Sequence, residues 1–347
     1  MSPPQSIQPL LASRSAAHRA TRGRLVGLCL ALGCLLVLVL SISGGEYSIT
    51  PSKVVHILFG GGEGLEKTIV WQWRMPRAAA ALIFGAGLAV SGAVFQSLTR
   101  NPLGSPDIIG FSTGAYTGAL LVLTFAGGSF LLTSFGALLG GLLTALAVYL
   151  LAWRNGTAGF RLILVGIGVS AALASFNHYL VLRAELDVAM AAAVWGAGSL
   201  NGVTWAGVIP VSLVVVFALL GVLLCSKSMQ MLQMGDDLAS ALGMRVERAK
   251  LVLVVLAVLL IAAVTALAGP IAFVALVSPQ LAKRLVGSGS LNLIPTALTG
   301  AFLLAFSDLL AQRLFAPIQL PVGVVTVCLG GVYLVYLLNR GTQKIRS

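Results

Sequence analysis

Residues 251–268 read LVLVVLAVLLIAAVTALA, eighteen residues without a charge and with Thr265 as the only side chain that is not hydrophobic. An α-helix needs roughly 20 such residues to cross a bilayer. Helices are the usual solution there, because they satisfy their own backbone hydrogen bonds in lipid. By the same criterion we predict ten membrane spans, at residues 25–43, 78–98, 108–126, 130–152, 161–182, 205–225, 251–268, 272–287, 293–313 and 322–338.

The composition of the whole chain agrees with this class. Of 347 residues, 58% are hydrophobic and 9% are charged, whereas about a quarter are charged in soluble domains. A soluble or disordered protein is therefore excluded. The four cysteines show no metal-binding spacing, so we expect no metal site.

We expect one transmembrane domain at 25–338, between a polar tail at 1–24 and a second tail at 339–347. Residues 25–43 have two interpretations, a retained first span or a cleaved signal peptide, and their length favours the span. Residues 188–198 are too short to cross, so they predict a helix at one surface or partly re-entrant. We predict residues 44–77 to be a polar loop.

The net charge of +12 divides unequally between the two sides of the predicted membrane. With ten spans, the side of the termini holds 16 basic and four acidic residues, and the other side holds six of each. Lys and Arg are enriched in cytoplasmic loops, so both termini are predicted in the cytoplasm. The surplus is an orientation signal and implies no nucleic acid.

Sequence motifs of self-sufficient transporters and enzymes are missing. There is no G-x-x-x-x-G-K-[ST] phosphate loop and no H-E-x-x-H. The span interiors hold almost no ionisable side chain of the kind that ion-coupled carriers keep near the midplane. The nearest is Asp308, which we expect to pair with Arg313. The chain is therefore expected to be no enzyme and to depend on a separate motor, although an ion-coupled carrier remains the alternative class.

Several blocks resemble one family, the FecCD-type permeases of ATP-binding cassette (ABC) importers. The blocks are RMPRAAAALIFGAGLAVSGAVFQSLTRNPLGSPDIIGFSTG at 74–114, MGDDLASALG at 234–243, AGPIAFVALVSP at 268–279 and QLPVGVVT at 319–326. Of its branches, the stretches NPLGSPDIIGFSTGAY and LPVGVVTVCLGGVYL are most similar to the one that carries ferric enterobactin.

The resemblance implies a ten-span, all-α permease of the vitamin B12 permease-like kind, in the bacterial inner membrane. It implies a second, homologous permease subunit, expected to be a different chain, and two copies of a cytoplasmic ATPase that bind ATP and magnesium. No cofactor is expected on this chain. A periplasmic siderophore-binding protein would deliver the cargo. Another siderophore, haem or vitamin B12 is the alternative to enterobactin.

The resemblance also implies docking of that binding protein on arginines at the outer side. Arg74 and Arg77 are three residues apart and hence on one helix face, where they suit carboxylates on a partner. Simple snorkelling to the interface is the competing explanation. The family often has an outer arginine where this chain has Gln312, and Arg313 follows it as the substitute.

Two further sites are predicted on the cytoplasmic side. The turn with Pro102 and Pro106 is rigid, and the family implies that Asn101 and Leu103 close the pathway there; a plain turn is the alternative. Within the loop at 226–250, a helix capped by Asp236 or Asp237 and ended by Gly243 would present one face to the ATPase, or pack back on the spans. Its predicted contact residues are Gly235, Asp236, Asp237, Leu238, Ala239, Leu242 and Gly243.

The fifth predicted span carries polar side chains that could line the pathway. These are Ser170, Ser175, Asn177 and His178. A histidine that only packs within the bundle is the alternative explanation for His178. The family's histidine after the second block is replaced by Gln280, which removes an imidazole from that position.

Overall fold

The part of the chain that the structure describes consists of helices joined by turns and irregular segments. This computed structural model covers residues 8–343 except 46, 108, 128, 153–158 and 288–291, with side chains described over 21–336 outside these gaps and residue 159. Residues 1–7 and 344–347 of the predicted tails lie outside the described residues, and so does Arg154. The helices are α1 (Gln8–Ser43), α2 (Pro51–Leu58), α3 (Leu65–Thr68), α4 (Met75–Thr99), α5 (Phe111–Phe125), α6 (Phe130–Ala152), α7 (Gly159–Arg183), α8 (Leu186–Gly196), α9 (Trp205–Leu224), α10 (Ser226–Met234), α11 (Asp236–Ala241), α12 (Val246–Ala268), α13 (Val274–Val286), α14 (Leu293–Arg313) and α15 (Val322–Gln343).

Each predicted span coincides with one helix, so the predicted all-α class is confirmed. Seven helical stretches in the described chain are long and apolar enough to cross a membrane. The predicted spans in α5, α13 and α15 correspond to shorter apolar stretches. The predicted short element at 188–198 is α8, of eleven residues.

Helix α4 lies at the centre and packs against α9, α12, α13 and α14. Most of its residues are buried, with Phe84 and Leu88 almost fully enclosed. In lipid, helices associate mainly through close van der Waals contact, since apolar surface gains little by leaving an apolar solvent. This helix is therefore the structural axis of the bundle.

Glycines set how closely these helices approach. A Cβ on Gly92 of α4 would collide with the carbonyl oxygen of Ala275 in α13, and one on Gly118 of α5 would collide with that of Gly136 in α6. Small residues at such crossings are typical of membrane bundles. These glycines serve packing, as their abundance within the spans suggests.

The prediction of a polar loop at 44–77 is wrong. Helix α2 lies there, and α3 continues through a π-helical turn at Ile69–Arg74 into α4. The segment has its own small core, which includes Ile49, Val54 and Ile57. We call this segment, residues 44–77, the outer cap. Its exposed polar residues interrupt the apolar runs, so a search for long apolar stretches does not find its helices.

Candidate transport pathway and its contact sites

The predicted outer and cytoplasmic sites lie at opposite ends of α4. Arg77 is in the first turn of the helix, and Asn101 follows its last residue by two positions. At 1.5 Å per residue, 25 residues span about 37 Å. The two sites are therefore joined by one helix of about membrane thickness.

Arg77 is committed to an ion pair with Asp308 of α14. Its Nε and Nη2 lie 2.9 to 3.1 Å from the carboxylate oxygens, and its Nη1 donates to Gln319 Oε1 at 2.6 Å. The side chains are 12% and 1% exposed, and Gln312 Nε2 also donates to Asp308. Such a two-pronged arrangement satisfies a buried carboxylate and ties α4 to α14.

The other two predicted docking arginines bind backbone carbonyls near the end of α1. Arg74 donates to the oxygens of Ile42 and Tyr47, and Arg313 donates to that of Leu40 at 2.7 Å. The expected pairing of Asp308 with Arg313 is wrong, because Arg313 turns toward α1 while Arg77 approaches the carboxylate from α4. Arg313 is exposed and Arg74 half-buried. The three arginines therefore lie at the same end of the bundle but differ in how accessible their side chains are to a partner.

The predicted gate turn, residues 100–106, has a fixed shape. The backbone N–H of Leu103 donates to Asn101 Oδ1 at 2.9 Å, and the N–H of Gly104 donates to the Asn101 carbonyl. An asparagine that bonds the backbone two residues on stabilises such a turn. Leu103 is 51% exposed and borders a cavity of about 370 Å³ beside α13 and α15, so its side chain stands at an opening.

The predicted coupling helix is α11, but its start differs from expectation. Gly235 is the N-cap, with φ of 114°, so the predicted cap by Asp236 or Asp237 is wrong. Instead Asp236 accepts a hydrogen bond from Lys250 Nζ at 2.7 Å, because α12 begins at Val246 and brings that lysine close. Helix α10 precedes α11 within a segment that we expected to be a loop.

The surface of α11 is divided. Leu238 and Leu242 are 57% and 64% exposed, whereas Ala239 between them is fully buried. The prediction that Ala239 is a contact residue on the same face as these leucines is therefore wrong. Gly243, with φ of 83°, follows the helix as predicted, a position where glycine is favoured. Two exposed leucines one turn apart form an apolar contact point on a short helix.

Asn177 and His178 line a cavity of about 660 Å³ between α5, α7 and α8. Asn177 is 4% exposed, and its Oδ1 has no described partner. His178 is exposed. Ser170 is not among the residues that line this cavity. Its hydroxyl donates to the Gly166 carbonyl of its own helix and lies close to Gly110.

Two groups near these sites escaped the sequence reasoning. The outer cap with α2 had a usable signal: Thr50 and Pro51 mark a helix start, and Val54 and Ile57 follow at helical spacing. The second group is a set of buried or half-buried amides and a hydroxyl at the C-terminal end of α4. The side chains that bond to one another are far apart in the sequence and come into contact only through the packing of the helices, so no sequence spacing indicates their contact.

Comparison with known proteins agrees with this architecture. Residues 33–340 match the model of the FecCD transport family. The chain is 48% identical over 323 residues to the ferric enterobactin transport system permease protein FepG of Escherichia coli (strain K12). The match covers 92% of this chain and 98% of that relative. It is 37% identical to the iron(3+)-hydroxamate import system permease protein FhuG of Bacillus subtilis (strain 168), over 88% of this chain and 94% of that one.

A solved structure of a metal-chelate type ABC transporter in an inward-facing conformation superposes with a TM-score of 0.81 at 26% identity. The match covers 91% of this chain and 99% of that chain. The agreement extends over nearly the whole length of both, so the predicted permease architecture is confirmed. The protein is therefore a member of the FecCD transport family, which confirms the resemblance of its motifs and its predicted function as a transport permease.

Proposed function

We propose that this chain is the membrane-spanning permease subunit of an ATP-driven importer that moves a ferric siderophore from the periplasm to the cytoplasm. The observation that carries the proposal is the 48% identity to FepG over 98% of that relative. A catecholate siderophore of the enterobactin type is the proposed cargo. Hydroxamate siderophores are the nearest alternative, since FhuG is 37% identical.

The chain works in this proposal with a second permease, two cytoplasmic ATPases and a periplasmic binding protein. ATP and magnesium belong to the ATPases. Exposed Leu238 and Leu242 on α11 support the ATPase contact, because an exposed helix of six residues needs a partner to stay folded. Large apolar side chains exposed on α7 and α8, such as Leu182 and Met190, are available to lipid and to the second permease.

We place the chain in the bacterial inner membrane with both termini in the cytoplasm. The excess of Lys and Arg on one predicted side supports this orientation. Arg313 then lies on the periplasmic side with an exposed guanidinium and is the foremost candidate for contact with the binding protein. Arg74 borders the same surface, while Arg77 and Asp308 hold its supporting helices together.

The experiment is reconstitution of the complete complex in proteoliposomes. We expect uptake of ferric enterobactin to require the binding protein on one side and ATP on the other, with slower uptake of ferric hydroxamates. Uptake that follows an imposed ion gradient without the ATPases, or failure of the chain to copurify with an ATPase, would refute the proposal.

A further inference from the structure

The last turn of α4 is held by hydrogen bonds on two sides. On one side, Gln233 Nε2 of α10 donates to Ser97 Oγ at 2.9 Å. On the other, Gln280 Nε2 of α13 donates to Gln96 Oε1 at 2.6 Å. Ser97 and Gln96 are neighbours in sequence and almost fully buried, so the contacts converge on one turn.

The second contact continues to the gate turn. Gln280 Nε2 also lies 3.5 Å from the carbonyl oxygen of Pro102, and Gln96 Nε2 donates to the carbonyl of Leu276 at 2.9 Å. Both polar ends of the Gln96 amide are therefore bonded. Gln96 is buried, where a low local dielectric strengthens hydrogen bonds, and Gln280 extends the contact to the exposed Pro102. The amides therefore link α4, α13 and residues 100–106.

The first contact lies one step from the coupling helix. Gln233 is two residues before Gly235, the N-cap of α11. Arg100 is the first residue of the gate turn. Its guanidinium is also close to Gly235, since a Cβ on that glycine would be 3.4 Å from Arg100 Nη1. The hydrogen-bonded side chains and residues 100–102 line a cavity of about 600 Å³, so these polar contacts border a region with room for movement.

We propose that the hydrogen bonds Gln233–Ser97 and Gln280–Gln96 transmit displacement of the coupling helix α11 to the gate turn through the last turn of α4. Ser97, Gln96, Gln233 and Gln280 are positioning residues in this route. Each bond joins two helices, and helices move as rigid bodies, so a shift of α10 carries Ser97 with it. The inference rests on the proposed function, which supplies the ATPase that moves α11.

The test uses the complete importer in proteoliposomes with the variants Ser97→Ala and Gln233→Leu and their combination. We expect ATP hydrolysis to persist while cargo moved per ATP falls roughly fivefold, the value of about one hydrogen bond. The combined variant should lose no more than either single one, because both remove the same bond. Ser97→Thr keeps the hydroxyl and should restore the ratio.

A second readout reports the gate itself. In a separate set of chains without native cysteines, Leu103→Cys is tested for thiol labelling with and without vanadate-trapped nucleotide. We expect labelling to change with nucleotide in the parent chain and to lose that change with Gln233→Leu. The matched control is Gln230→Leu, since Gln230 is an exposed glutamine on the same helix and should leave both readouts unaltered.

The outcomes separate this inference from the proposed function. If the parent chain binds no ATPase, the proposed function fails and the route fails with it. If the parent transports with ATP but shows no response to nucleotide at position 103, the gate assignment and the route fail while the proposed function stands. If the parent responds and Ser97→Ala and Gln233→Leu behave like it, only the route is overturned. An equal loss in Gln230→Leu also overturns the route, because any change on α10 would then uncouple the gate.

Discussion

The carboxylate of Asp308 is 1% exposed and faces Arg77 across the gap between α4 and α14. Removing one partner leaves the other charge buried and unpaired, which costs about 3 kcal/mol. We therefore expect Arg77→Met and Asp308→Leu each to lower the thermal unfolding temperature of the detergent-purified chain. The combination should recover much of the loss. A double variant that is as unstable as the sum of both single variants would contradict a stabilising pair.

Arg313 differs from Arg77 because its guanidinium is exposed and its one described bond goes to a backbone carbonyl. Arg313→Glu should weaken binding of the periplasmic protein on the order of tenfold, since reversal of a rim charge slows association. Unfolding temperature and assembly with the ATPase should stay as in the parent. Binding is measured on the reconstituted complex at low salt.

The matched control for that variant is Arg183→Glu. Arg183 is an exposed arginine at the end of α7, on the same predicted side and outside the arginine cluster. Equal weakening by both variants would assign the effect to the overall field of the outer surface instead of a docking contact.

Burial raises the pKa of Asp107, in the turn between α4 and α5, to about 6 from 3.8, although Ser112 donates a hydrogen bond to its carboxylate. A raised pKa in the folded state means that ionisation disfavours folding. Stability should therefore fall as pH rises from about 4 to about 6 and stay low above that. Asp107→Asn should raise the free energy of unfolding at pH 7.5 by at most about 3 kcal/mol, seen as a higher unfolding temperature, and should change little at pH 4. No dependence on pH would contradict it.

At the scale of elements, the exposed apolar surface of α11 consists of Leu238 and Leu242, which lie one turn apart. Leu238→Glu should abolish copurification with the ATPase and leave the unfolding temperature unchanged, because the side chain has little contact within the chain. Ser240 is also exposed, and it lies about 200° around the helix axis from Leu238. Ser240→Ala therefore serves as the control, and loss of the ATPase in that variant would contradict a leucine-specific contact.

The apolar spans were predictable because length and hydropathy determine a transmembrane helix almost alone. Short helices outside the apolar runs were harder to find. In α10 the buried residues are Met229 and Leu232, three apart within a polar sequence, and the same holds for Val54 and Ile57 in α2. A search for helical spacing would have found both, whereas a search for long apolar runs hides them.

The partners of the site residues could not be predicted. Arg77 and Asp308 are separated by 231 positions and Gln96 and Gln280 by 184, so only the packing of α4 against α13 and α14 brings them together. The sequence placed Asp308 near Arg313, its neighbour in the chain. The structure places it against the helix that packs closest to it in space, which is the usual way that a buried charge finds its partner.

At the scale of the whole molecule, the two ends of α4 should lie on opposite sides of the membrane. Phe59 in the outer cap is 89% exposed, and Ser240 on α11 is exposed at the other end. In a chain without native cysteines, Phe59→Cys should react with an impermeant maleimide added to spheroplasts. Ser240→Cys should react only after the membrane is opened. Lys and Arg enrichment on the side of α11 sets this expectation, and the reverse labelling pattern would contradict the predicted orientation and, with it, the placement of the docking and coupling sites.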